Sequence, residues 1–252
     1  MRPSLDVLAP KVSAYVGTLL YKPTSAPYES KAEGSYLMTC VYFLAKAKQN
    51  LDAVILLCRS GFSQQAMMIA RSTFEMGVTV EYINKDISNR ALLYSEYDFV
   101  ERHQWMEKAE KYKDEWGDLM AKGNPRIQII IKQEFARVKS NYGDRPYHWA
   151  GKNKTFKSLC LDINAESSYD MQYATLCKFT HNSITLANDY FDPDAEGALR
   201  VVAGHNPRYN DSALATAALH TLHVASHFID AYKLDGEKEQ DELMNLFKDG
   251  AQ

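Results

Sequence analysis

The chain has 252 residues, of which 46% are hydrophobic and 24% charged, the balance of a globular protein with a core of its own rather than a disordered segment. Its formal net charge of -3 excludes a protein whose whole surface is a nucleic-acid glove, though not one with a local basic site. No internal repeat and no Pro/Ser linker divides the chain, so one domain over residues 1–252 is expected.

The opening segment, MRPSLDVLAPKV, lacks the apolar stretch of a signal peptide. The longest apolar runs, such as 53–58, are too short to span a bilayer. Residues 30–59 carry Leu37, Cys40, Leu44, Ala47, Leu51, Val54 and Cys58 at alternating steps of three and four, one apolar stripe on a long helix. Gly61 ends it, and Ser63 is placed to cap a second helix running to about Lys85. That helix is apolar almost all round and is expected to be central. A third helix is read over 87–112 and a fourth over 125–141, the latter with Ile127, Ile130, Ile131, Phe135 and Val138 on one side.

The segment SNYGDRPYHWAGKN is dense in Gly, Pro and aromatics and reads as a loop. A short helix is expected over 154–161 and a longer one over 168–190, stopped by Asp192-Pro193. Residues 194–208 have no helical period and suit a small hairpin or an irregular loop. Asp211 or Ser212 is placed to cap a helix to about Lys233, and an amphipathic tail helix follows Gly236. The expected fold is therefore all-α: a single-domain helical bundle with a core at about 35–190 and C-terminal helices at about 211–248. Cys40, Cys58, Cys160 and Cys177 form no Cys-x-x-Cys pair and read as reduced thiols, which suits a cytoplasmic protein.

Several residues have chemistry to offer. Arg71 and Glu75 lie four apart, on one face of the apolar helix, as a register-fixing ion pair or as part of a site. His181 shares a helix face with Cys177 and Ile184, which suits a core histidine or a catalyst, and Lys178 one turn before it can pair with phosphate. Arg145, His148 and Trp149 cluster in the loop, either to stack a base or to plug the domain. His220, His223 and His227 form a second stripe on the last long helix, nearly opposite its apolar one. A single ion can hardly take all three from a straight helix, because the outer two are about 10 Å apart along the axis. A two-His site completed by Asp230 or another helix is one option; a polar face or a subunit interface is the preferred one. Arg200 and His205 have the spacing of a ribonuclease signature, but Gly204 and the valines between them argue against a helix there.

A longer pattern runs through the chain: Leu57-Cys-Arg-Ser-Gly61, then Ala70-Arg-Ser-Thr-Phe-Glu75, then Trp149-Ala-Gly-Lys152, then Tyr173-x-x-Leu176-Cys177-x-x-x-His181-x-Ser183. Over about 35–190 it resembles an uncharacterised bacterial family of unknown function with a HEPN-like helical fold. The resemblance implies a helical core with N- and C-terminal helical additions, frequent dimerisation, and metal-independent RNA cleavage in toxin, phage-defence or stress systems. In such chemistry an Arg binds the scissile phosphate and a His acts in attack by the RNA 2′-OH. Carried onto this chain, His181, Arg71 and Glu75 are the candidate catalytic residues. Lys178, Asn182, Tyr173, Trp149 and Arg145 are the candidate substrate-binding residues. No Arg lies four to six residues before His181, only Lys178. The first expectation is thus a metal-independent RNA endonuclease and the alternative a non-catalytic helical module that binds a nucleotide or a partner protein, with a metal-dependent helical enzyme using the His220 face third. The expected partners are RNA or a nucleotide, a protein from the same operon and a second copy of the chain, with no membrane, no cofactor and no metal.

Overall fold

Helix α2 (Lys31–Arg59) starts where its sequence says it should. Ser30 accepts from the Glu33 backbone at 3.2 Å while the Glu33 carboxylate accepts from the Ser30 backbone at 3.3 Å, a reciprocal cap. The seven residues of its expected stripe are all buried. Gly61, with φ +76, reverses the chain after it, and a Cβ there would collide with the His205 ring, so the turn needs glycine. These relations come from a computed structural model, which describes residues 4–22, 27–116, 124–143, 148–181, 183–193, 199–201 and 204–248.

Helix α3 (Ser63–Asn84) packs on α2, and α10 (Asn210–Tyr232) lies against both. Helix α1 (Leu5–Leu20) covers α2 and α10. Phe74, Phe228, Leu44, Leu51 and Leu222 are fully buried where these four helices meet. Around them lie α4 (Ile87–Lys111), the short α5 (Lys113–Trp116), α6 (Pro125–Val138) and α7 (Phe156–Asp162). The one-turn α8 (Glu166–Ser168) leads through a π-helical turn, Tyr169–Tyr173, into α9 (Ala174–Thr180). Helix α11 (Glu237–Lys248) packs on α10, while α7 and α9 pack on α3. Strands β1 (Phe191–Pro193) and β2 (Leu199–Val201) pair antiparallel, the hairpin option for this region. Arg200 is on β2, not on a helix. The fold is all-α with this small ribbon, and among the described residues no helix is long and apolar enough to cross a membrane.

The expected 168–190 helix is broken. Helix α9 stops at Thr180, and Ile184–Tyr190 is a 3₁₀ turn. The Ser183 backbone N–H closes back on the Lys178 carbonyl at 3.0 Å, a C-terminal capping bond that ends the helix. The expected caps also differ. Ser63 does not cap α3; its hydroxyl donates to the Asn206 carbonyl at 2.6 Å, tying the start of α3 to the start of α10. Helix α10 begins at Asn210, before Asp211 and Ser212, with Asn210 Nδ2 bonded to the Cys58 carbonyl at 3.1 Å. On α6, Ile131 and Val138 are buried but Ile127 and Ile130 are exposed, because only the C-terminal part of the helix meets the small Val100–Val138–Tyr142 core beside α4.

The histidine stripe of α10 is not a polar surface. His227 is buried, and the His220 ring meets Phe74 edge-on at 4.7 Å. Gly77 permits this, since a Cβ there would sit 2.9 Å from His220 Nδ1. Helix α10 therefore presents His220 and His227 to α3, while the His223 side chain between them stays 43% exposed.

Between α4 and α6, Glu96 accepts from Lys31 at 2.9 Å and Arg137 at 2.8 Å. Burial opposes its charge, but the two cations outweigh burial and hold the carboxyl below the usual glutamate range. Stability from this group is complete above the unfolded pKa of about 4.3 and is lost as pH falls through the lower folded value. Thermal denaturation against pH should show that slope in the wild type and a flatter acid limb in Glu96→Gln. Parallel curves in the two proteins would contradict the assignment.

Candidate functional site

The π-helical turn before α9 aims Tyr173 at α3, where Arg71 and Glu75 stand one turn apart. Arg71 Nη2 donates to Tyr173 Oη at 2.7 Å, and Tyr173 Oη donates onward to Glu75 Oε1 at 2.9 Å. The same Nη2 is 3.0 Å from Glu75 Oε1, and the guanidinium lies 5.0 Å from the centre of the Tyr173 ring. Burial pushes the Tyr173 phenol well above its ordinary pKa despite the neighbouring Arg71, so it stays a protonated relay. For Arg71, burial works against the charge, while Tyr173 and Glu75 outweigh it and keep the guanidinium firmly cationic. Arg71 Nε is buried without a partner, and Nη1 has no protein acceptor among the described residues. The Arg71 side chain is 19% exposed and that of Glu75 38%, so the triad opens to solvent at its carboxylate end.

Aromatic rings continue the site. Tyr173 stacks on Phe74 at 5.7 Å and on Tyr169 at 5.3 Å, with Phe156 at 4.6 Å. Lys157 stands 5.4 Å from the centre of the Tyr169 ring and 3.7 Å from Asp170. Half-buried aromatic faces thus lie between two cations, an arrangement able to take a planar base and a phosphate together.

The remaining candidates are placed elsewhere. His181 caps the C-terminus of α9, exposed, with no side-chain hydrogen bond or ion pair among the described residues and no link to Arg71 or Glu75. Lys178 is exposed, and it too has no ion pair among the described residues. Trp149 is wedged edge-on between Tyr82, at 5.7 Å, and Tyr94, at 5.0 Å. That position locks the loop to α3 and α4, two turns along α3 from Glu75, and makes Trp149 a plug. His148 stacks on Trp149 and accepts from the Ala150 backbone at 3.1 Å, and burial lowers its pKa. Arg145 and Asn182 lie outside the described residues.

One polar centre has no counterpart in the sequence analysis, and a second, the histidine face of α10, was expected there without the carboxylate that completes it. Asp189, its side chain 3% exposed, accepts from Arg208 at 2.6 Å, Tyr209 at 2.7 Å and Gln64 at 3.0 Å. Glu81 on α3 meets His223 and His227 of α10, the three offering ligand atoms within 4.8 Å of one another. His223, aided by His227 and opposed by burial, holds the Glu81 carboxyl down to about 2. The signal available was Glu81 itself, a second carboxylate in an otherwise apolar helix.

The pattern of the sequence has a counterpart among known families. A family model described as a family of unknown function, DUF5677, matches residues 37–198, well over half of the chain. The chain belongs to this family. The matched span of DUF5677 contains Arg71, Glu75, Tyr173 and His181, and leaves out α10 with His223 and His227. No curated protein and no solved structure matches the chain.

Proposed function

We propose that the chain is a HEPN-like helical module that binds a phosphate-bearing ligand, single-stranded RNA or a nucleotide, without cutting it. The observation that carries this reading is the Arg71–Tyr173–Glu75 triad, with an Nη1 that has no partner among the described residues beside the Tyr169–Tyr173–Phe156 aromatic shelf. Tyr173 fixes the guanidinium in place, so little side-chain freedom is lost on binding an oxyanion. Four free thiols suit a cytoplasmic module, where RNA and nucleotides are available.

Cleavage is the second reading. Exposure, with no side-chain partner among the described residues, leaves the His181 imidazole open to a 2′-OH, as a general base requires, but among the described residues nothing joins it to Arg71.

The test is fluorescence anisotropy with a labelled single-stranded RNA in EDTA, with ATP as competitor to separate the two ligand sources. Hydrogen bonds to a charged group are worth about 1.5–3 kcal/mol, so Arg71→Gln should weaken binding about 10- to 150-fold. Its melting temperature is recorded alongside to separate ligand loss from unfolding. Equal affinity in folded Arg71→Gln and wild type, or no binding to wild type, sinks the reading. RNA cut by wild type and left whole by a folded His181→Ala protein moves cleavage to first place.

A further inference from the structure

The α3–α10 contact carries a second centre, independent of the Arg71 site. His223 and His227, one turn apart on α10, point their Nε2 atoms at each other across 3.3 Å. Glu81 Oε2 from α3 is 2.9 Å from His227 Nε2 and 3.5 Å from His223 Nε2. Ligands held at about 2.0–2.1 Å from a tetrahedral zinc ion lie about 3.3 Å apart. The three measured edges scatter around that value. Two histidines at i and i+4 on one helix face with a carboxylate from a neighbouring helix are the donor types a borderline divalent ion takes.

The surroundings orient the nearest ligand. Tyr36 Oη donates to Asn84 Oδ1 at 3.0 Å and lies 3.5 Å from His227 Nδ1. The Glu81 carboxylate can only accept, so without a metal the His227 proton sits on Nε2 towards it; a metal that displaces that proton moves it to Nδ1, where Tyr36 Oη, its own proton given to Asn84, can accept it. The exposures set the geometry of access. The His227 side chain is 7% exposed, that of Glu81 28% and that of His223 43%, so the triangle is closed towards the core and open towards water on the His223 side.

We propose that Glu81, His223 and His227 form a binding site for a divalent transition-metal ion of the zinc class, with Tyr36 as the residue that positions His227 and with a solvent-facing coordination position. Three protein ligands and an open position are the arrangement of catalytic rather than structural zinc, in which the ion supplies Lewis acidity to a bound water. The ion also ties α3 to α10.

The full chain, stripped with EDTA and desalted, is titrated with Zn²⁺ against a fluorescent zinc chelator. About one zinc per chain, bound tighter than about 1 μM, is expected. His223→Ala, at a partly exposed position the fold tolerates, and Glu81→Gln should each weaken binding at least 100-fold. Tyr36→Phe, which keeps the ring and removes the phenol, should weaken it about 10- to 100-fold, a change that a merely structural tyrosine does not produce. Circular dichroism verifies that each variant is folded. Co²⁺-loaded protein should show the intense visible bands of a four- or five-coordinate site, absent in His223→Ala. Zinc bound no tighter than about 1 μM, or equally by wild type and folded His223→Ala, overturns the proposal. The RNA assay in chelator reads neither outcome, so the two sites are judged apart.

Discussion

Replacing Phe74 by alanine is expected to destabilise the protein by about 3–5 kcal/mol, the range for deleting a fully buried aromatic ring. Phe74 has no solvent exposure and touches four systems at once. It stacks on Tyr173 at 5.7 Å, meets Phe156 at 6.2 Å and His220 at 4.7 Å, and belongs to the core shared by α2, α3 and α10. A cavity there removes the support under the Tyr173 ring and hence under the Arg71 guanidinium. For a domain of this size the loss corresponds to a melting temperature lower by roughly 6–20 °C. Ligand affinity should fall as well, even at temperatures where the variant is folded. Phe74→Leu leaves a smaller cavity and should lose less of both. Urea denaturation measures the first quantity and anisotropy the second. A Phe74→Ala protein within about 1 kcal/mol of wild type would show that the ring is not the common support of core and site.

Asp189→Ala is expected to cost about 2–5 kcal/mol, by a different route, because two neutral donors lose their acceptor. Its carboxylate accepts from Gln64 of α3, from Arg208 and from Tyr209 just before α10. Arg208, with a side chain 66% exposed, can return to water. Gln64 is buried and cannot, and Tyr209 is only partly accessible, so both are left with unsatisfied donors. The 3₁₀ turn Ile184–Tyr190 then loses its anchor to α3 and α10. Hydrogen exchange and limited proteolysis should detect faster opening over 183–193 before global unfolding. Asp189→Asn keeps one acceptor oxygen and should fall between wild type and alanine. An alanine variant with unchanged protection in this turn would remove Asp189 as its anchor.

The regular helices were legible because their information is local. The 3-4 spacing of Leu37 to Cys58 and the Gly61 stop mark α2 from a single local stretch of chain. The same holds for the all-α class, for the four free cysteines and for the pairing of Arg71 with Glu75, which helical spacing alone imposes. Helix breaks were less legible: Ile184–Tyr190 looks helical by composition but is 3₁₀, and its Asp189 is tied to Gln64 of α3, a contact far off in sequence. The sites were the least legible, because each joins residues far apart in sequence. Tyr173 reaches Arg71 only through the π-helical turn that re-aims it. Glu81 reaches His223 and His227 only because α10 packs along α3, close enough at Gly77 for His220 to turn inward. Periodicity states which face of a helix is apolar. It does not state which helix will cover the opposite face, and on α10 that covering by α3 turned an apparent polar stripe into a contact that buries His220 and His227 and leaves His223 at its open edge.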